Sequence, residues 1–356
     1  MKNSMNNENL TKILVENNQP SYRTAQIQKA IYQDGVSGFL EISTISKELR
    51  ELLTKELSIL SFTVEKVLVA KDNCSIKALL KLADGEKIET VLLSSGPGKW
   101  SVCLSSQVGC ALNCQFCATG KSGFRRNLTA EEITDQVLFW RQYLNKNQNA
   151  NLKMQNDNLR NTISSIVYMG MGEPFLNWEE VKKSLRDLLD KKLFAFGSRS
   201  ISVSTAGISE GIEKFAEAFP QVNLAISLHF ASDVKRNAYM PINKKYNLAS
   251  LKKALQDYSS KTNRQVFIEY IMLSGINDSE EDAHALSTYL KSIGKRQLLH
   301  VNLIAYNETG SLFKTSSGNK THLFRDCLEK GGMSVTIRKS LGQEVQGACG
   351  QLAGEK

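Results

Sequence analysis

The chain has 356 residues, a formal net charge of +9, 41% hydrophobic and 23% charged residues. That length buries a full core and holds two domains or one large barrel, and the composition is that of a globular protein. No apolar run approaches the roughly eighteen residues of a membrane span, and the polar, Asn-rich stretch 1–9 lacks a secretory core, so a cytoplasmic location without a membrane partner is expected. The cationic excess suits a polyanionic partner such as nucleic acid, and suits simple solubility equally well. Seven cysteines in a cytosolic chain favour metal or redox chemistry over a disulfide scaffold.

Residues 10–57 carry Ile13, Leu14, Ile27, Ile31, Leu49, Leu52, Leu53 and Leu57 largely at three- and four-residue spacings, which predicts helices punctuated at Gln19-Pro20 and Asp34-Gly35. Strand character follows at 62–69 and 87–93, with Asp84-Gly85 as a hairpin signal, so 59–95 reads as a small antiparallel sheet. Further on, strand-like runs at 164–169, 200–204, 222–227, 266–272 and 300–304 alternate with helical patterns such as 178–193. That alternation predicts βαβ units and a parallel sheet or barrel, an α/β fold. The Asn-rich, weakly patterned stretch 145–161 reads as an exposed insertion between a helix and a strand.

The sharpest chemical feature is the run Cys110-Ala-Leu-Asn-Cys114-Gln-Phe-Cys117, directly after Gly109. Three thiolates can hold three irons of a [4Fe–4S] cube and leave the fourth open. An open iron can take the amino and carboxylate groups of S-adenosylmethionine, and an electron passed into the sulfonium gives a 5′-deoxyadenosyl radical. A structural zinc site would need a fourth ligand, and none is near in sequence, although His229 is not excluded in space.

Met169-Gly170-Met171-Gly172-Glu173-Pro174 ends an apolar strand. Its glycines allow close approach to the backbone, and Glu173 offers acceptors to a cationic amine. Ser204, Ser227, His229 and Asn307 also end predicted strands, where a barrel places its site. Cys349 lies between Gly347 and Gly350, which suggests a mobile loop, and Cys103 precedes the cysteine motif by seven residues. Cys74 and Cys327 read as buried small hydrophobes.

The runs GCALNCQFCATG, MGMGEPFLN, ISLH, PINKKYN and ACGQLAG resemble, collinearly from about residue 20 to the end, the RlmN/Cfr family of radical-SAM RNA adenine methyltransferases. The resemblance implies a partial (β/α)6 barrel behind a small N-terminal helical and β accessory domain. On that basis the chain divides into a helical region 1–58, a β extension 59–97, a barrel 98–345 and a tail 346–356. It also implies a [4Fe–4S] cluster on Cys110, Cys114 and Cys117, and two S-adenosylmethionine molecules per turnover. Gly172, Glu173, Ser204, Ser227, Leu228, His229 and Asn307 would contact S-adenosylmethionine. Cys349 would carry a methyl group as the attacking intermediate, and Cys103 would take a proton and close a disulfide with it. Glu89 matches a position that the family treats as a proton acceptor; as a bare residue it is equally a strand-surface carboxylate.

The expected substrates are 23S rRNA at the peptidyl-transferase centre and a tRNA anticodon loop, methylated at adenosine carbon 2, with a flavodoxin system as reductant. Phosphate contacts are expected from Lys121, Arg125 and Arg126 beside the cysteine loop and from Arg23, Lys29 and Lys47 in the N-terminal helices. The family also contains carbon-8 enzymes that confer antibiotic resistance, and an RNA-binding module without turnover is a further alternative. Pro174 and PINKKYN lean toward carbon 2, and the intact cysteine set argues for turnover.

Overall fold

The computed structural model describes residues 3–148 and 161–354. Its N-terminal region packs three helices, α1 (Asn7–Glu16), α2 (Tyr22–Gln28) and α3 (Lys47–Glu56). Leu10, Leu14, Ile27, Leu49 and Leu53 form their buried stripes, as the three- and four-residue spacing requires. The Asn6 side chain accepts the Asn9 amide and the Ser46 hydroxyl accepts the Leu49 amide, so polar caps start α1 and α3.

Ten strands form one sheet, and every strand lies beside its neighbour in sequence. Strands β1 (Phe62–Val69), β2 (Ser75–Leu82), β3 (Lys87–Gly96) and β4 (Lys99–Cys103) pair antiparallel. Parallel to β4 then follow β5 (Thr162–Tyr168), β6 (Ile201–Thr205), β7 (Asn223–Ser227), β8 (Val266–Met272), β9 (Leu299–Ala305) and β10 (Ser334–Arg338). A crossover helix follows each of β4 to β9: α4 (Ala130–Gln148), α5 (Trp178–Leu189), α6 (Ser209–Ala218), α7 (Leu248–Thr262), α8 (Glu280–Ile293) and α9 (Gly318–Lys330). This is the expected partial barrel, with β10 added beyond the last crossover. Parallel pairing requires a helical return after every strand, so all the carboxyl ends of β4 to β10 open on one side.

Some expectations change. The antiparallel region is no separate sheet, because β4 pairs with β3 on one edge and β5 on the other. The Asp84-Gly85 turn is as expected, with Gly85 at φ 89°, but it joins β3 to β2, a strand the sequence reading passed over. Helix α5 stops at Leu189 rather than at residue 193, since Asp190 turns to extended backbone. Residues 145–148 of the expected insertion complete α4, and 149–160 lie outside the described residues. Cys74 and Cys327 are only half-buried, for Cys74 sits in the tight turn before β2 and Cys327 on the solvent side of α9.

Asp135 on α4 ties the helix to the start of β1 by accepting the Ser61 amide at 2.8 Å. Burial, with Glu131 and Glu132 adding to it, pushes its carboxyl up to about 7. The fold favours the protonated form, so this contribution is complete below about 4 and is lost as pH rises through about 7. Asp135→Asn should flatten that dependence. Thermal melts from pH 5 to pH 8 will show a smaller fall in Tm for the variant; parallel curves would contradict the assignment.

Candidate active site

The carboxyl ends of the parallel strands surround a cavity of about 170 Å³. The three motif cysteines, Gly172, Glu173, Ser204, Ser227, His229 and Cys349 all line it. The cysteine loop leaves β4 after Cys103 and is closed at its base by a ribbon pairing Gln107–Gly109 with Phe124–Asn127. Gly109 has φ 73°, and a Cβ there would lie 1.7 Å from the Gly123 carbonyl oxygen, so only glycine closes this ribbon. Inside the loop the Cys110 amide donates to Gly123 O at 3.0 Å and the Cys117 amide to Cys114 O at 3.1 Å. An apolar group that includes Leu112, Phe116, Phe230, Met240 and Ile271 packs around it and limits water.

The donor set suits an iron–sulfur cluster. Burial pushes the Cys110 thiol up to about 12 and the Cys114 thiol well above its ordinary range, and the neighbouring cysteines add to both. Thiols held protonated by burial in an apolar shell become thiolates when a multiply charged cation is among them. Behind them the fully buried Arg236 donates to Leu228 O at 3.2 Å, Asn243 Oδ1 at 2.6 Å and Ala206 O at 2.6 Å. Its positive charge favours the Cys114 thiolate. The PINKKYN run therefore has a local purpose: Asn243 and the Tyr246 carbonyl hold this guanidinium.

The opposite wall is the segment after β5. Gly170 and Gly172 line the cavity, and the side chains they lack would meet protein: a Cβ would lie 2.6 Å from Leu104 O at the first and 2.5 Å from the Gln107 side chain at the second. Their absent side chains seat the cysteine loop against this wall. Glu173 accepts the Phe175 amide at 3.1 Å and the Ala206 amide at 2.8 Å. Burial nonetheless pushes it up to about 7. A cationic amine beside it would restore the carboxylate. The Ser204 and Ser227 hydroxyls lie 3.3 Å apart.

His229 takes left-handed backbone at φ 58°, and its Nδ1 accepts the Ile271 amide at 3.2 Å. Burial drops its pKa to about 3, so the ring is neutral with its proton on Nε2. Leu228 and Asn307 are not among the lining residues. The Leu228 side chain is in the core, and Asn307 holds the tail, donating to Cys349 O at 3.2 Å and accepting from Gln343 Nε2 at 2.7 Å.

Cys349 is exposed but lies in the concave mouth, where the walls hold its thiol above the ordinary range while Arg338 pulls the other way. The loop carrying it is anchored, contrary to the mobile segment expected. Ala118 N donates to Gly350 O at 2.8 Å and Gln351 Nε2 to Glu308 O at 3.0 Å, while Leu352 is buried. Cys103, at the end of β4, is buried and pushed up to about 12, first by desolvation and then by the charge of Cys349. Glu89 lies outside the cavity lining, its carboxylate bound to Lys77 at 2.6 Å and to tail amides.

The sequence reading missed Glu269 and Arg338, which line the cavity together 3.3 Å apart. Asn302 holds the other Glu269 oxygen at 2.9 Å. The available signal was an acid inside the apolar strand VFIEYIM. Of the expected phosphate-binding residues, Arg126 is held by Asp84 and Glu132, Arg125 by Glu86, Lys29 by Asp34, Lys47 by Glu51 and Arg23 by Gln26. Lys121 is exposed beside the cysteine loop.

A barrel with three cysteines on its first loop and a cavity at its strand ends defines a class. The profile of the Radical SAM superfamily matches residues 104–286, and that of the ribosomal RNA large subunit methyltransferase N-terminal domain matches 3–59. A "Ribosomal RNA large subunit methyltransferase Cfr" of Clostridium botulinum (strain Okra) is 42% identical over 94% of this chain and 93% of its own length. A "Probable dual-specificity RNA methyltransferase RlmN" of Carboxydothermus hydrogenoformans is 40% identical over 98% and 96%. The crystal structure of a radical SAM methyltransferase from Sphaerobacter thermophilus superposes with a TM-score of 0.87 at 36% identity, covering 97% of both chains. The protein is thus a radical SAM enzyme.

Within that superfamily it belongs to the RlmN/Cfr family of rRNA methyltransferases. Membership implies a [4Fe–4S] cluster and S-adenosylmethionine. Among the described residues no helix is long and apolar enough to cross a membrane.

Cys114→Ser should yield protein that fails to hold a full cluster after anaerobic reconstitution, read as lost iron and lost visible iron–sulfur absorbance. Wild-type iron content in that variant would remove Cys114 from the ligand set.

Proposed function

We propose that this enzyme methylates carbon 2 of adenosine in 23S rRNA and in a tRNA anticodon loop, using Cys349 as the methyl carrier. The observation that carries the reading is an exposed cysteine, Cys349, at the mouth of the cavity lined by the motif cysteines, with the buried Cys103 near enough to feel its charge. Cys110, Cys114 and Cys117 would hold the cluster, with Gly172, Glu173, Ser204, Ser227 and His229 around S-adenosylmethionine. Two molecules of S-adenosylmethionine per turnover, one as methyl donor and one as radical source, would supply the chemistry that side chains lack.

Carbon 2 of adenine lies between two ring nitrogens and is too electron-poor to attack a methyl donor, so the carbon must arrive as a radical. Cys349 loses its thiol proton, helped by Arg338, and its sulfur takes the methyl group by substitution. Loss of one hydrogen atom from that methyl leaves a carbon radical on Cys349, which bonds to carbon 2. Cys103, acting as thiolate, then takes the carbon-2 proton and passes it to the methylene carbon as it bonds to the Cys349 sulfur, and the one electron left on the ring would return to the oxidised cluster. The sulfur–carbon bond breaks, and the methylated base leaves behind a disulfide that an external reductant such as a flavodoxin system must reopen. The neutral His229 and the buried Glu173 exclude water and orient the bound amine and ring.

Carbon 8 is the second reading, because relatives named Cfr match as strongly as those named RlmN. Pro174 and the PINKKYN run favour carbon 2. A cytoplasmic location with ribosomes and tRNA follows from the proposed substrates.

Reconstituted enzyme incubated with S-adenosylmethionine, reductant and rRNA should yield 2-methyladenosine by mass spectrometry of nucleosides. 8-Methyladenosine as the main product would reverse the site, and product from tRNA tests the second substrate. Cys349→Ala should abolish product while leaving the cluster spectrum intact; normal product would remove the methyl-carrier role.

A further inference from the structure

The Lys77–Glu89 ion pair is buried, at 8% and 3% exposure, on the β2–β3 face against which the tail packs. Lys77 Nζ lies 2.6 Å from Glu89 Oε1 and donates to Gln346 O at 3.3 Å. The other Glu89 oxygen accepts the Ala353 amide at 2.9 Å and the Gly354 amide at 3.4 Å. The pair thus grips the chain on both sides of Cys349. Beside it Gly347 packs on Val91, and a Cβ on Gly354 would lie 3.1 Å from Lys87 O. A buried ion pair adds little net stability over well-packed apolar side chains, so what this one contributes is a defined position for the segment it holds.

We infer that Glu89 and Lys77 are positioning residues: a two-sided latch that sets where the Cys349 sulfur stands at the cavity mouth, with Glu89 taking no part in proton transfer. Both Glu89 oxygens are engaged and neither residue lines the cavity. The inference rests on Cys349 as methyl carrier for its importance, though the latch itself is a matter of tail geometry. Its direct consequence is protection of the Ala353 and Gly354 amides from solvent exchange.

The test uses the full-length holoenzyme. Lys77→Met with Glu89→Leu removes every latch hydrogen bond without stranding a buried charge. Hydrogen–deuterium exchange of the tail peptide should quicken about tenfold or more, since losing about 1.4 kcal/mol of local protection is a factor of ten. Methylation should fall while the cluster spectrum stays. Glu89→Gln, which keeps a carbonyl oxygen for the Ala353 amide, should recover much of the protection and the product.

Unchanged exchange in the double variant would overturn the latch. So would a Glu89→Gln enzyme whose tail stays protected but which stalls with base still attached, for that is the behaviour of a lost proton acceptor. Faster tail exchange alongside a fully active Cys349→Ala enzyme would leave the latch standing and overturn the methyl carrier alone.

Discussion

Three cysteines gathered on one loop in an apolar shell, with burial holding the Cys110 and Cys114 thiols above their ordinary range, are the constraint on which this structure turns. As the proposed cluster ligands they would bind iron as thiolates and leave one metal site open. The surrounding features serve that arrangement. The Gly109 ribbon closes the loop, Gly170 and Gly172 let it seat on the neighbouring strand, and Arg236 offsets the negative charge that accumulates there. The parallel sheet supplies a second requirement, since its strand ends bring Glu173, Ser204, Ser227 and His229 to the same cavity from separate parts of the chain.

Charge buried in the sheet marks the tail as a designed part of the site. Glu269 with Arg338 lies beneath Cys349, and Lys77 with Glu89 lies beneath the segments on either side of it. Lys77, Glu89 and Glu269 are buried and costly to desolvate, Arg338 is partly exposed, and such pairs are worth little as bulk stability. Their placement beside a single exposed cysteine is understandable if that sulfur must meet two partners in turn, a bound cofactor and an RNA base. Anchoring also accounts for an exposed thiol in an otherwise ordered segment.

Local chemistry was legible in the sequence where it is written in contiguous residues. The three cysteines, the strand-end Glu173 and the alternation of β8 and β9 with helices could be read directly, because spacing and periodicity carry them. What depends on pairing across the fold could not. Strand β2 hides behind a lysine-punctuated pattern, SIKALLKL, whose Lys77 is inward-facing only because Glu89 answers it from β3. The glycines of MGMGEP read as ligand clearance in sequence, and the structure adds that their missing side chains also clear another stretch of chain. Glu269 and Arg338 are 69 residues apart, and only the register of β8, β9 and β10 makes them partners. The loop of Cys349 reads as mobile from its glycines, while the hydrogen bonds that hold it come from Asn307, Ala118 and Glu89, all distant in sequence.

In the proposed reaction one sulfur at the cavity mouth joins covalently to the RNA, and a second, behind it, sets the product free. The most direct measurement is denaturing electrophoresis and mass spectrometry of Cys103→Ala enzyme after anaerobic incubation with S-adenosylmethionine, reductant and rRNA. A stable protein–RNA adduct mapped to Cys349 is the expected result. Free methylated RNA at wild-type yield, with no adduct, would contradict the account.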